Sequence, residues 1–254
     1  MPDGAAAHAW DAVTYDRVAD PMFRWGTGVL ERLPLSGDER VLDAGCGSGR
    51  VTEQLVERLP RGHVVALDAS AEMLDEARRR LGHLGPARVS FVRADLAAPL
   101  PLDEPVDAIL STATFHWVMD HDALFRNLAA VLRPGGRLVA QCGGAGNIAN
   151  VLEVVRGIGE GWEGDFRFET PEATAARLAH AAFTDIETWL SYEPTLFEAG
   201  EPFESYLEAV CLRQQVARLA PEERAAYVEA VAARLPDARV DYVRLNILAS
   251  RSDG

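Results

Sequence analysis

The sequence predicts an α/β protein built on a mostly parallel β-sheet with helices on both faces. Three observations carry this reading. Strand-like and helix-like segments alternate over the first two-thirds of the 254 residues. The strand-like segments are continuous apolar runs, the mark of strands buried on both faces. The first strand ends in a glycine-rich turn, Asp43-Ala44-Gly45-Cys46-Gly47-Ser48-Gly49, that leads straight into a helix. Crossovers between such strands are right-handed, and ligands bind beyond the strands' C-terminal ends. The residues just after the first four strands are therefore where a site belongs.

Taken in order, residues 41–43 form the first strand. Residues 49–59 read as a helix because Val51, Leu55 and Leu59 fall on one face at four-residue spacing. Residues 63–68 (HVVALD) are the second strand. Ser70 caps a helix running through Arg80, with Met73, Leu74, Ala77 and Leu81 as its apolar stripe. Residues 89–92 and 106–111 are the third and fourth strands. A helix over 122–132 buries Leu124, Phe125, Leu128 and Leu132, is capped by Asp120 and His121, and stops at the breaker Arg133-Pro134-Gly135-Gly136. Residues 137–141 are the fifth strand. Thr170-Pro171 opens a helix over 172–181, with proline at the first helical position. Residues 183–190 and 242–249 are the last two strands. The roughly fifty residues between them are too long for a plain loop. Their patterning is helical, clearest over 221–235, and they read as a cap over the sheet edge that carries the site.

Composition excludes several functions. Lys plus Arg is 25 and Asp plus Glu is 39, a net charge of −14. That balance argues against a protein that grips a phosphate backbone. All the cations are Arg, so no Schiff-base lysine and no P-loop lysine exist here. Cys46, Cys142 and Cys211 are too few and too scattered for a disulfide framework or a zinc site, and no metal is expected. With no secretory leader and no membrane span in view, a cytoplasmic location is expected.

The glycine turn is D-x-G-x-G-x-G. Glycine lets the backbone reach positive φ and lets a ligand approach the main chain. A dinucleotide turn would be G-x-G-x-x-G, but the third glycine position is Arg50. Asp43, just before the glycines, repels a pyrophosphate and attracts an ammonium. Asp68 ends the second strand, where an acid accepts from ribose hydroxyls and repels a 2′-phosphate. Asp95 follows the third strand, where the carboxylate or its backbone can meet an adenine amino group. Ala69, Met73 and Leu96 are placed to sandwich that ring. Three acids past three successive strands fit a small cationic nucleoside such as S-adenosylmethionine.

On VLDAGCGSGRVT (41–52), VVALDASAEMLDEAR (64–78), FVRADL (91–96) and LRPGGRLV (132–139), the chain resembles class I S-adenosylmethionine-dependent methyltransferases. On STATFHWVMDHDALF (111–125), CLRQQVARL (211–219), YVRLNILASR (242–251) and the region around Tyr15 and Trp25, it is similar to the trans-aconitate methyltransferase group. It departs from that group at His116, where the group's pattern has Gln, and through residues 145–170, which line the expected acceptor pocket.

The resemblance implies a seven-stranded, mostly parallel Rossmann-like sheet of order 3-2-1-4-5-7-6, the last strand antiparallel, with a small helical cap. Residues 1–34 would be a helical lid, 35–145 the cofactor core, 146–182 helices covering the active site, and 183–254 strands six and seven with the cap inserted at about 192–240, all in one structural domain. S-adenosylmethionine is the implied cofactor, bound by Tyr15, Asp43, Gly45, Cys46, Gly47, Gly49, Asp68, Ala69, Met73, Asp95, Leu96, Ser111 and Thr112, with Trp10 joining Tyr15 in the lid. The acceptor is a small molecule, a carboxylate of trans-aconitate type or a natural-product intermediate, contacted by Trp117, Arg213 and Arg244. His116 is the candidate catalytic residue, as a general base or an orienting group. The alternative is a non-methylating protein on the same fold, a cyclase or a regulator. A monomer or homodimer is expected, with no nucleic-acid or membrane partner.

Overall fold

The computed structural model describes residues 20–158 and 163–253. The strands are β1 (Arg40–Ala44), β2 (His63–Asp68), β3 (Val89–Arg93), β4 (Val106–Thr112), β5 (Leu132–Gly143), β6 (Phe183–Leu196) and β7 (Arg239–Arg251). They make one seven-stranded sheet in the order β3-β2-β1-β4-β5-β7-β6. β1 to β5 pair in parallel, and β7 is antiparallel to both of its neighbours. The expected order and the expected antiparallel edge are both present.

Alternate residues of the central strands enter two separate cores. Leu42, Val65, Leu67 and Ile109 pack with Leu124, Phe125 and Leu128 of α4 (His121–Val131) and with Leu178 of α6 (Pro171–His180). Val41, Val64, Ala66 and Ala108 pack on the other face. There they meet Val29 and Leu30 of α1 (Asp20–Leu30), Leu55 and Val56 of α2 (Arg50–Arg58), and Leu74 and Ala77 of α3 (Ala71–Leu81). This two-sided burial is why these strands carry no polar alternation. The caps follow the expected chemistry. Ser70 Oγ accepts from Met73 N at 3.2 Å and Asp120 Oδ1 from Ala123 N at 2.8 Å. Thr170 Oγ1 accepts from Ala173 N at 3.2 Å, ahead of Pro171.

The structure corrects three boundaries. The breaker at 133–136 ends α4 but does not interrupt the strand that follows. Val106 pairs with Leu132 and Ala108 with Arg137, so the four residues form a bulge opposite Asp107, whose carboxylate pairs with Arg133. β6 runs six residues past its expected end, and β7 begins three residues early. They pair all the way to Leu196 with Arg239, so the inserted cap occupies 197–238 rather than 192–240.

The cap comprises α7 (Glu201–Tyr206), a π turn (Leu207–Cys211), α8 (Arg213–Ala217) and α9 (Pro221–Ala232). With α5 (Ala149–Arg156) it closes a third core around Phe203, Tyr206, Leu212 and Val231, with Tyr242 of β7 joining it. No described helix is long and apolar enough to cross a membrane, and no metal-binding cluster occurs among the described residues.

Leu42 is fully buried at the centre of the sheet. Leu42→Ala is expected to lower unfolding stability by about 2–5 kcal/mol in urea titration. Tyr192→Ala on the exposed edge strand, at a residue 61% exposed, should change it by no more than about 0.5 kcal/mol.

Candidate functional site

A cavity of about 890 Å³ opens at the C-terminal ends of β1 to β4. Its floor is the glycine turn. Gly45 N and Cys46 N both donate to Leu67 O, at 2.8 and 2.9 Å, which ties the turn to β2. Gly45 has φ 85°, and a Cβ there would lie 2.2 Å from Thr114 Oγ1. No other residue fits without moving the loop after β4. That threonine donates to Gly45 O and to Thr112 O, at 3.2 and 3.0 Å, binding the two loops together.

Asp68 sits at the edge of the turn. Its Oδ2 accepts from Gly47 N and its Oδ1 from Ser70 N, both at 2.9 Å. These bonds fix the carboxylate and leave each oxygen a lone pair for a ligand hydroxyl. Burial nevertheless pushes Asp68 above the usual carboxylate range, against the pull of those N–H groups.

Asp43 lies one layer down, 1% exposed, and does not itself line the cavity. Its Oδ2 accepts from Thr52 Oγ1 at 2.7 Å, while Oδ1 is buried with no partner among the described residues. Burial pushes its pKa up to about 7, with the Asp68 charge adding to the rise and the Thr52 bond opposing it. An unpartnered buried carboxylate oxygen is costly unless a cation or donor arrives to meet it.

Cys46, Ala69, Met73, Asp95, Leu96 and Thr112 line the cavity. Asp95 Oδ1 already accepts from Ala97 N at 2.9 Å. Burial holds the Cys46 thiol well above its usual range, so it fills space and is no nucleophile. Besides Asp43, two more of the expected residues fall outside the cavity lining. Gly49, at φ 84°, caps α2, and a Cβ there would lie 3.3 Å from Ala77, so its role is packing against α3. Ser111 is buried behind the wall, where Oγ donates to Ala44 O at 2.6 Å and joins β4 to β1. Trp10 and Tyr15 lie outside the described residues.

The far wall is aromatic and cationic. His116, Trp117, Phe166 and Phe168 line it together. Ring centres are 5.0 Å apart for His116 and Trp117, 5.8 Å for His116 and Phe168, and 5.1 Å for Trp117 and Phe166. Phe166 and Phe168 stack at 10°. The Arg213 guanidinium lies 5.7 Å from the Trp117 ring centre, and that of Arg244 lies 4.9 Å from that of Trp25. His116 Nδ1 accepts from Gly143 N at 3.3 Å. Burial, and then the charges of Arg244 and His121, hold its pKa well below the usual imidazole range.

Some lining residues were not expected from the sequence. Phe166 and Phe168 fall in the weakly matched segment, although their two-residue spacing would put both on one face of an extended chain. Gln214 holds Asp165 through Oε1 and Nε2. Phe23 of α1 underlies Arg50, with 4.4 Å from guanidinium carbon to ring centre, and both reach the cavity. Tyr242 also lines it, and its hydroxyl meets Tyr206 Oη at 2.5 Å.

A family model described as a methyltransferase domain matches residues 41–136. Trans-aconitate 2-methyltransferase of Azoarcus sp. (strain BH72) is 34% identical over 240 residues, 87% of each chain. Trans-aconitate 2-methyltransferase of Methylobacterium nodulans is 36% identical over 186 residues, 72% of this chain and 67% of that one. The solved phosphoethanolamine N-methyltransferase 2 of Haemonchus contortus, in complex with S-adenosyl-L-methionine, superposes with a TM-score of 0.64 at 21% identity, over 96% of this chain and 57% of that one.

A cation bound above Asp43 would displace the proton that burial favours there, and affinity for S-adenosylmethionine would then rise with pH through about 7. The expected gain is about tenfold between pH 6 and 8. Calorimetry in buffers of different ionisation heat should detect proton release at pH 6 and little at pH 8. Asp43→Asn should abolish both the release and the pH dependence.

Proposed function

The chain belongs to the class I S-adenosylmethionine-dependent methyltransferases, and from that premise we propose that it esterifies a carboxylate of a small, flat, multiply charged acid of trans-aconitate type. The observation that carries this reading is the pair Arg213 and Arg244, both in the cavity and both seated on aromatic rings. A guanidinium matches a carboxylate bidentately, and an aromatic base keeps its plane fixed. The stacked Phe166 and Phe168, beside Trp117, suit a planar unsaturated acid.

The residues present fit the cofactor, and its partners are assigned as part of this reading. The buried, unpartnered Oδ1 of Asp43 supplies negative charge beneath the ammonium. Asp68 accepts from the ribose hydroxyls. Ala69, Met73 and Leu96 hold the adenine, with Asp95 and its backbone at the ring edge. Gly45, Cys46, Gly47 and Thr112 supply main-chain surface, and Met22 and Phe23 of α1 close one side. When bound, the cofactor supplies a sulfonium methyl that is already activated for in-line transfer.

The protein's part is then alignment and exclusion of water. Alignment alone is worth up to about 7–11 kcal/mol. A carboxylate is ionised at neutral pH and needs no base. His116 is poorly suited to be one, because Nδ1 is engaged by Gly143 and burial disfavours the cation. An acceptor that must first lose a proton finds no base in His116. The non-methylating alternative gains none from the site or the relatives. Three free buried thiols suit a reducing cytoplasm.

Incubation with S-adenosylmethionine and trans-aconitate should give a monomethyl ester by mass spectrometry. Arg213→Ala and Arg244→Ala should each raise KM for the acid by roughly 10- to 100-fold. Cofactor binding by calorimetry should stay unchanged in both. Unaltered KM in the double variant would remove the basis for a carboxylate acceptor. Asp68→Ala should instead lose cofactor affinity by roughly 10-fold or more.

A further inference from the structure

We propose that His116 is a fixed, uncharged N–H donor that orients the reacting carboxylate of the acceptor, while Arg213 and Arg244 hold its other carboxylates as handles. This rests on the carboxylate reading above and adds to it which carboxylate reacts.

The ring is built into the wall. It is 7% exposed, flanked by Trp117 and Phe168, and anchored through its backbone, where His116 O accepts from Arg167 N at 2.9 Å. Nδ1 receives the Gly143 N–H. A nitrogen that accepts a hydrogen bond keeps its lone pair, so the proton of the neutral ring sits on Nε2. Gly143 cannot swing away, because it lies in β5 opposite Arg244 of β7. A Cβ at Gly143 would lie 2.7 Å from Phe168, so the donor is also packed in place.

The groups facing the ring reinforce the neutral form. Arg244 comes from β7, 2% exposed, and His121 from α4. Cys142 of β5 carries a thiol pushed up to about 12 by burial, so it adds no negative charge. A second proton on the ring would need to displace the Gly143 bond and sit beside the Arg244 charge.

The chemistry assigns the roles. A carboxylate clamped by a guanidinium has its charge compensated and its lone pairs engaged, which makes it a good handle and a poor nucleophile. A carboxylate held by one neutral N–H is aligned and still has a free oxygen. That oxygen forms the new bond to the methyl carbon. The methyl–sulfur bond breaks with its electron pair left on sulfur, and no proton moves. His116 is suitably placed between the two ends of the site. It follows β4 two residues after Thr114, which holds the glycine turn, and it adjoins Trp117, which carries Arg213.

The test uses the protein with S-adenosylhomocysteine bound and its histidines labelled with nitrogen-15. Long-range proton–nitrogen spectra should show the Nε2–H tautomer of His116 unchanged from about pH 5.5 to about 8.5. Titration in that range, or the Nδ1–H tautomer, overturns the proposal. With acceptor present, His116→Gln should keep kcat within about 10-fold and yield one ester isomer, since an amide also donates N–H. His116→Ala should lose about 100-fold in kcat and yield mixed isomers, with cofactor affinity intact by calorimetry. Equal losses in the two variants, or a single isomer from His116→Ala, also overturn it. Failure of the unmodified enzyme to esterify any small polycarboxylate would sink the acceptor reading instead, and the spectra, recorded without acceptor, keep the two failures apart.

Discussion

The central strands have no polar face. Leu42, Val65 and Ile109 go into one core while Val41, Val64 and Ala108 go into the other. Along the middle of β1, β2 and β4 the side chains are therefore committed to packing. Polar chemistry can only occur where the strands stop, and at their C-terminal ends the next residues are free to turn. The glycine turn, Asp68, Asp95 and Thr112–Thr114 lie together for that reason. The loops are held to one another by backbone bonds, Gly45 N and Cys46 N to Leu67 O and Gly47 N to Asp68, so the floor is rigid before any ligand arrives.

From this floor the cavity acquires an electrostatic direction. Acids gather where the first three strands end: Asp43 below the turn, Asp68 beside it, Asp95 beyond it. The cations of the opposite wall, Arg213 and Arg244, come from the cap and from the antiparallel strand β7. On the proposed reading, a cationic cofactor and an anionic acceptor would be drawn toward different ends of one cavity, and low local dielectric would strengthen both attractions. The net charge of −14 argues against a phosphate-backbone ligand at the level of composition. It does not prevent a local Arg pair from selecting an acid.

Much of this was legible in the sequence, for definable reasons. Four-residue apolar spacing gave α2 and α3, continuous apolar runs gave the parallel strands, and Ser70, Asp120 and Thr170 marked helix starts through their own hydrogen bonds. The acids were readable because their positions after successive strands follow from topology alone. Strand lengths at the sheet edge were not. β6 carries Glu193 and Pro194 in its second half, which by composition reads as loop, yet it pairs with β7 to Leu196. An edge strand tolerates such residues because one of its sides needs no ladder. The bulge at 133–136 was hidden for a related reason, since Pro134-Gly135-Gly136 breaks a helix and a bulged strand alike. Gly49 looked like part of a ligand turn, but its missing Cβ serves the packing of α2 on α3.

His116 shows where sequence reasoning runs out. Its residue type names a base or a donor equally well, and only its neighbours decide between them. The N–H of Gly143 takes the lone pair at Nδ1, Arg244 opposes a second proton, and the flanking aromatics exclude the water that would stabilise an imidazolium. The desolvation that makes the site suitable for displacement at a sulfonium thus also removes the imidazole as a base. A base on this wall would need an acid partner for the histidine, as in a triad. Here the charge that acts most on the ring is the Arg244 guanidinium. Under the proposed function the wall would suit a nucleophile that arrives already ionised, and a carboxylate meets that condition at neutral pH.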